Sequence, residues 1–333
     1  MSEQQQPPRR VTLKDVARLA GVSHQTVSRA INDKGEIDPD TRRRVLDAAR
    51  ELNYRPSRFA RGLVRPGATT LGLIVSDVVN PFFPELIAGV IEAAEAKGWQ
   101  VLISSTQNHQ SREPEVIRTL AAQVDVLIGY LSEPDATLAG ATEGVPLVVL
   151  GRPVHEPAFG GVVVDAAAGV RAAVAHLVAS GHRAIGMIDC PTAAGGVPDR
   201  RPAFLAAMAE HGLTVADDAI IGGSPTVEDG EARFTLLRAA RPDITAVFTF
   251  NDLLALGAYR AARRLGVSVP GDCAIVGFDG LPIGELIDPP LTSVAIDKRR
   301  MGAVAVAEAA RLLAGEPAGR VTLPVELVVR GSA

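Results

Sequence analysis

VTLKDVARLAGVSHQTVSRAIN, residues 11–32, holds the signature of two short helices joined by a tight turn. Thr12 followed three residues later by Asp15 has capping-box spacing, so a helix is predicted to begin near Leu13. Val16, Ala17 and Ala20 give it an apolar stripe, Gly21 ends it, and Val22 lies in the turn. Ser23 is placed to cap a second helix from His24 to about Ile31. At about 100° per residue, His24, Gln25, Ser28 and Arg29 share one arc of roughly 140°, away from Val27, Ala30 and Ile31. That arc carries an imidazole, an amide, a hydroxyl and a guanidinium. Such groups read base edges: Arg forks onto guanine and Gln pairs with adenine. Helix, glycine turn and polar-faced second helix make a helix-turn-helix. The spacing alone fits a solvated face on an ordinary three-helix bundle equally well.

Outward from this stretch, Asp38-Pro39 opens a third helix. Val45, Ala48, Ala49 and Leu52 are spaced to pack it on the first two. Arg42, Arg43 and Arg44 crowd its first turns against the helix dipole, a conflict that a nearby phosphate would relieve. Residues 1–10, with Pro7 and Pro8, read as a disordered arm. Residues 1–66 carry 14 Lys+Arg and 8 Asp+Glu, a net of +6; the remainder carries 20 and 30, a net of −10, for −4 overall. A basic head on an acidic body suits a polyanionic partner, or reflects chance segregation of surface charge.

From Leu71 the pattern changes to short apolar runs alternating with amphipathic helices. LGLIVS, VLISS, VDVLIG, PLVVL, AIGMI, AVFTF and CAIVGF read as buried strands. Strand–helix alternation predicts an α/β class with parallel sheets covered on both faces. Some 260 residues exceed one such sheet, so two lobes are expected. The chain is 47% apolar, which excludes wholesale disorder. Cys190 and Cys273 are too few for a disulfide framework or a four-cysteine zinc site. With no apolar run of about 18 residues and no apolar stretch in MSEQQQPPRR, neither a membrane span nor a secretory signal is expected. A cytoplasmic location follows as the expectation.

These segments resemble the lactose-repressor (LacI/GalR) family. Val11–Asn32 is similar to its DNA-binding head, and ELNYRPSRFARGL, Glu51 to Leu63, to its helix end and hinge. In the body the resemblance is carried by VSDVVNPFFPELIAGVIEAA, VPLVVLGRP, HLVASGHRAIGMI, AVFTFNDLLALGAYRAARRLGVSVPGDCAIVGFDG, DPPLTSVAIDKRRMGAVAV and LPVELVVRGS. It implies a head over 11–56, a hinge helix and linker over 57–66, and a core over 67–333 built like periplasmic sugar-binding proteins. Lobe one would take about 67–165 and 294–320, and lobe two about 166–293 and 321–333. The chain would cross between them near Asp165, Leu291–Ser293 and Arg320.

By the same resemblance the base-reading positions are His24, Gln25 and Arg29, with Thr26, Ser28 and Asn32 near the phosphates. Thr12, Ser23, Tyr54, Ser57, Arg58 and Ala60 complete the DNA-facing set. Leu63 maps to an apolar wedge that enters the minor groove and trades unstacking for a bent duplex. Gly62 weakens that hinge helix by about 1 kcal/mol, so it is expected to form on DNA. A small effector would sit between the lobes at strand carboxyl ends. Candidate effector residues are Phe82, Phe83, Arg152, Arg200, Asn251 and Asp279. Asp252 suits a ligand or a helix cap, Asp165 a cap or a crossover, and Phe82 a wall or the core. An arginine, aspartate and asparagine set with an aromatic wall suits a sugar, a nucleoside-like ligand or a related polar metabolite. Ser224 and Pro225 stand where many members carry a ligand-stacking aromatic, which leaves open a non-sugar or smaller ligand, or one held by Phe82.

The partners implied are a pseudo-palindromic DNA operator, a small-molecule effector and a second copy of the chain, with no membrane. No cofactor and no metal is expected. G-x-G-x-x-G, Walker A, G-x-S-x-G and H-E-x-x-H are all missing from the sequence, and an enzyme is not expected. The body alone also fits a periplasmic-type solute-binding protein. The basic head argues against that alternative.

Overall fold

The structure is a computed structural model that describes residues 13–31, 37–52, 69–191 and 200–333. It divides into two compact units, 1–68 and 69–333. The expected arm, Thr12, Asn32, Tyr54, Ser57, Arg58, Ala60, Leu63 and the hinge over 57–66 lie outside the described residues.

The first unit holds α1 (Leu13–Ala20), α2 (His24–Ile31) and α3 (Pro39–Glu51). Val16, Ala17, Ala20, Val27, Ala30, Val45 and Ala48 form its core, the apolar positions read from the sequence. Gly21 adopts φ +66° where α1 turns, a conformation that glycine enters without steric cost. Ser23 Oγ accepts the Thr26 N–H at 3.1 Å and so caps α2. Asp38 Oδ2 does the same at α3, accepting from the Thr41 N–H at 2.9 Å.

The second unit holds two six-stranded sheets. The predicted runs become β1 (Thr70–Val75), β2 (Gln100–Ser105), β3 (Val126–Tyr130), β4 (Leu147–Leu150), β6 (Ile185–Asp189), β8 (Ala246–Thr249) and β9 (Ala274–Asp279). Five further strands join them: β5 (Gly160–Val164), β7 (Ile220–Gly222), β10 (Thr292–Ala295), β11 (Arg320–Leu323) and β12 (Glu326–Val328). The orders are β11-β5-β4-β3-β1-β2 and β12-β10-β9-β8-β6-β7. Neighbours run parallel except β10 and β12. The central strands are buried on both faces, which is why they are unbroken apolar runs, while the edge strand β2 is partly exposed.

On one face of the first sheet lie α4 (Phe82–Glu95) and α11 (Lys298–Leu313), and on the other α5 (Glu113–Ala121) and α6 (Asp135–Thr142). The second sheet is covered by α7 (Ala166–Ala179) and α8 (Arg200–Glu210) on one face, and by α9 (Val227–Ala240) and α10 (Asp252–Leu265) on the other. One apolar cluster runs from the α4–α11 layer through to the α7–α8 layer. No helix among the described residues is long and apolar enough to cross a membrane.

Two expected crossings move. β10 pairs with β9 through Thr292↔Val276, so it belongs to the second sheet and the crossing falls at Ile296–Asp297 rather than Leu291–Ser293. β11 pairs with β5 through Arg320↔Gly161, so that crossing falls at Pro324–Val325 rather than Arg320. Lobe one thus takes residues 69–164 and 297–323, lobe two 166–295 and 325–333. β10 (TSVA) and β11 (RVTL) mix polar with apolar residues, so neither shows the unbroken apolar run that marked the central strands.

Candidate functional site

The head presents one polar surface. His24, Gln25 and Arg29 are exposed on α2 and Thr26 is half-buried, while Val27 and Ala30 point into the core. Ser23 is spent as the cap, its Oγ 2.9 Å from Thr26 Oγ1. Arg29 lies in the last turn, where the helix dipole favours a cation. Among the described residues, Arg43 pairs with Asp40 at 2.7 Å and Arg44 donates to Thr41 Oγ1 at 3.3 Å.

In the second unit, parallel strands aim their carboxyl ends at a cleft between the lobes. Lobe one contributes Phe82, Tyr130, Gly151 and Val164; Ala166 and Arg200 face them, with Ile296 and Met301 at the crossover side. Arg200 opens α8. Its guanidinium carbon lies 3.7 Å from the Phe278 ring centroid and 4.3 Å from that of Phe250. Nη1 donates to the Phe250 carbonyl, and Nη2 lies 3.4 Å from Asp279 Oδ1. Its buried Nε has no hydrogen-bond partner among the described residues. A planar cation held on two rings with a donor unspent is suited to a polar ligand.

Asp279 ends β9 at φ +109°, a strained conformation for a residue with a side chain. Burial pushes its carboxyl up, against the pull of Arg200 and Lys298. Asp252 lies behind it. Burial first, then the neighbouring Asp279, pushes the Asp252 carboxyl up to about 7. Ser293 Oγ donates to its Oδ1 at 2.6 Å and the Leu281 N–H to its Oδ2 at 2.6 Å.

The structure redistributes several expected roles. Asn251 Oδ1 accepts the Leu254 N–H at 3.0 Å, so Asn251 is the cap of α10 and Asp252 is not. Asp165 caps α7 through the Ala168 N–H. Arg152, expected in the effector set, is a loop clamp instead. It donates to the carbonyls of Leu131, Pro153 and Glu133 at 2.7–3.0 Å and pairs with Asp135 at 2.7 Å. Phe82 lines the cleft, whereas Phe83 is buried behind it, edge-on to Phe82 and Tyr130.

Two residues of this region escaped the sequence reading: Tyr130, which lines the cleft, and Lys298, which lies behind it against Asp279. Tyr130 closes the run VLIGY at a strand carboxyl end, the same position that singled out Asp279. Burial pushes its hydroxyl up to about 12, so it stays a neutral donor. Gly151 makes room for its ring, since a methyl there would overlap it. Lys298 carries no comparable sequence signal beyond being one of four lysines. Among the described residues no group of three or more His, Cys, Asp or Glu is placed to hold a metal.

Comparison with known proteins matches residues 12–57 to a family described as bacterial regulatory proteins, lacI family. Residues 174–333 match a periplasmic binding protein-like domain. The HTH-type transcriptional regulator DegA of Bacillus subtilis (strain 168) is 35% identical over 332 residues, 97% of this chain and 98% of its own. The lac repressor dimer bound to operator and the anti-inducer ONPF superimposes with a TM-score of 0.76 at 28% identity, over 97% of this chain and 99% of that one. A complex of the transcriptional regulator CelR with cellobiose gives 0.72 at 31% identity, covering 97% and 100%.

Proposed function

We propose, from the premise that the chain belongs to the lacI family of bacterial regulatory proteins, how this member works as an effector-controlled transcriptional repressor. Two copies bind a pseudo-palindromic operator, each head laying α2 in the major groove. His24, Gln25 and Arg29 read base edges there, and Thr26 and Ser28 lie by the phosphates. The observation that carries this reading is the exposed arc of α2, backed by a core-facing side that fixes its orientation. Acting on the chromosome, the protein works in the cytoplasm.

A small polar metabolite, a sugar or a relative of one, sits in the cleft between Phe82 and Tyr130 on one side and Arg200 and Asp279 on the other. Asn251 retains its amide nitrogen for that ligand. Ser224 and Pro225 offer no aromatic ring, so stacking comes from the Phe82 side. Occupancy changes lobe closure and thereby the spacing of the hinge segments, which is a difference in affinity between two states.

The test is to select duplexes from a random pool and measure binding by fluorescence anisotropy, with and without a panel of sugars, polyols and nucleosides. A selected duplex should bind far more tightly than scrambled competitor. Arg29→Ala should weaken it by about 1–3 kcal/mol. No preference for any duplex would reject the reading in favour of a solute-binding protein, which predicts no DNA binding.

A further inference from the structure

We propose that Lys298 is a positioning residue that ties the effector-facing turn of lobe two to helix α4 of lobe one. The inference rests on the reading of the cleft as the effector site.

Lys298 is the first residue of α11, in lobe one, yet its ammonium reaches across to lobe two and is 2% exposed. Nζ donates to the carbonyls of Asp279 at 2.7 Å, Gly280 at 3.1 Å and Ile296 at 3.3 Å. An ammonium has three N–H donors, and three carbonyls take them. Asp279 and Gly280 both have positive φ, at +109° and +63°, which turns two successive carbonyls toward Nζ. The strain at Asp279 is thus held by a bond to its own carbonyl oxygen, while its carboxylate faces Arg200.

On the lobe-one side, Glu85 of α4 lies 3.5 Å from Nζ and is one-third exposed. Three residues before it, Phe82 lines the cleft. Glu85, Lys298 and the Asp279–Gly280 turn therefore form one electrostatic chain across the lobes, passing beside the ligand. A ligand that shifts Asp279 must shift the carbonyls that Lys298 grips, and through Glu85 the start of α4. A flat guanidinium cannot meet three carbonyls that converge on a point, so arginine should not substitute.

The test is hydrogen exchange by mass spectrometry on the full chain, without DNA or effector. It is read at the Gly280, Leu281 and Ile296 amides, which are bonded to Ser293, Asp252 and Asp279. Lys298→Met should speed their exchange about tenfold, and Lys298→Arg should not restore it. Glu85→Gln changes only lobe one. It should still speed the same lobe-two amides, and adding it to Lys298→Met should have no further effect. Lys97→Met, on the surface of lobe one, should do nothing. If Lys298→Met fails to fold, Glu85→Gln alone decides. Unchanged exchange at those amides in Glu85→Gln would overturn the proposal, whether or not the protein binds an operator.

Discussion

Asp252 is a carboxyl group deep in the second lobe, with Asp279 near it and one hydrogen bond arriving at each of its oxygens. Its folded pKa of about 7 lies above the unfolded value of about 4. The folded chain therefore keeps a proton that the unfolded chain releases. This stabilisation is full below about pH 4 and is lost as pH rises through 7. Burial raises Asp279 in the same direction. Asparagine imitates the protonated acid: its oxygen accepts from the Leu281 N–H and its amide nitrogen donates to Ser293 Oγ, whose hydroxyl turns from donor to acceptor. Between pH 5 and pH 8 the native chain should lose about 2 kcal/mol more stability than Asp252→Asn, measured by urea unfolding. Equal slopes would remove Asp252 as the source. At this scale, strand ends and family motifs pointed to Arg200 and Asp279, which the structure brings within 3.4 Å of each other. It was not legible where a partner decides the role. Arg152 follows a strand end as well, but the loops around Glu133 and Asp135 claim its donors. Asp252 read as a ligand or a cap, because only the fold shows that Asn251 already fills the capping position.

At the scale of elements, the layer that sets the cleft wall depends on how closely α4 approaches α11. Methyl groups at Gly89 or Gly302 would overlap the other helix's backbone, at Arg299 and at Leu86–Val90 respectively. Only hydrogen fits at this crossing. Gly89→Ala should force the helices apart and cost about 1–3 kcal/mol in urea unfolding. Gly140, exposed in α6 with open space around it, is the contrasting case. There alanine should stabilise by about 0.5–1 kcal/mol, because glycine loses more chain entropy in a helix. If both substitutions act alike, packing at the crossing is not what selects glycine. Alternating apolar runs exposed the central strands, since burial on both faces leaves an unbroken signal. β10 and β11 are four residues long and carry polar residues among the apolar ones, so the lobe boundaries shifted where they lie.

For the whole molecule, the charge division read from composition coincides with the division into compact units. The head of +6 precedes a body of −10, and the contact clusters part at residue 68. A body of that sign cannot draw the protein to DNA, so the attraction must come from the heads. Phosphate contacts release counterions, and operator affinity should therefore fall about 10³-fold or more between 50 and 200 mM salt. Within α3, Arg43 is offset by its pairing with Asp40. Arg44 donates to the neutral Thr41 hydroxyl and its charge helps to lower the Asp38 carboxyl, so that charge is only partly offset and stays available to a phosphate. Arg44→Gln should weaken selected and scrambled duplexes alike, and lower the slope of log affinity against log salt by about one per head. Arg29→Ala should act differently, lowering affinity for the selected duplex much more than for the scrambled one, because a base contact carries sequence information and a phosphate contact does not. An unchanged salt slope in Arg44→Gln would place the start of α3 away from the backbone. A salt-independent operator affinity in the native chain would mean that the head's charge segregation has no polyanion to explain it.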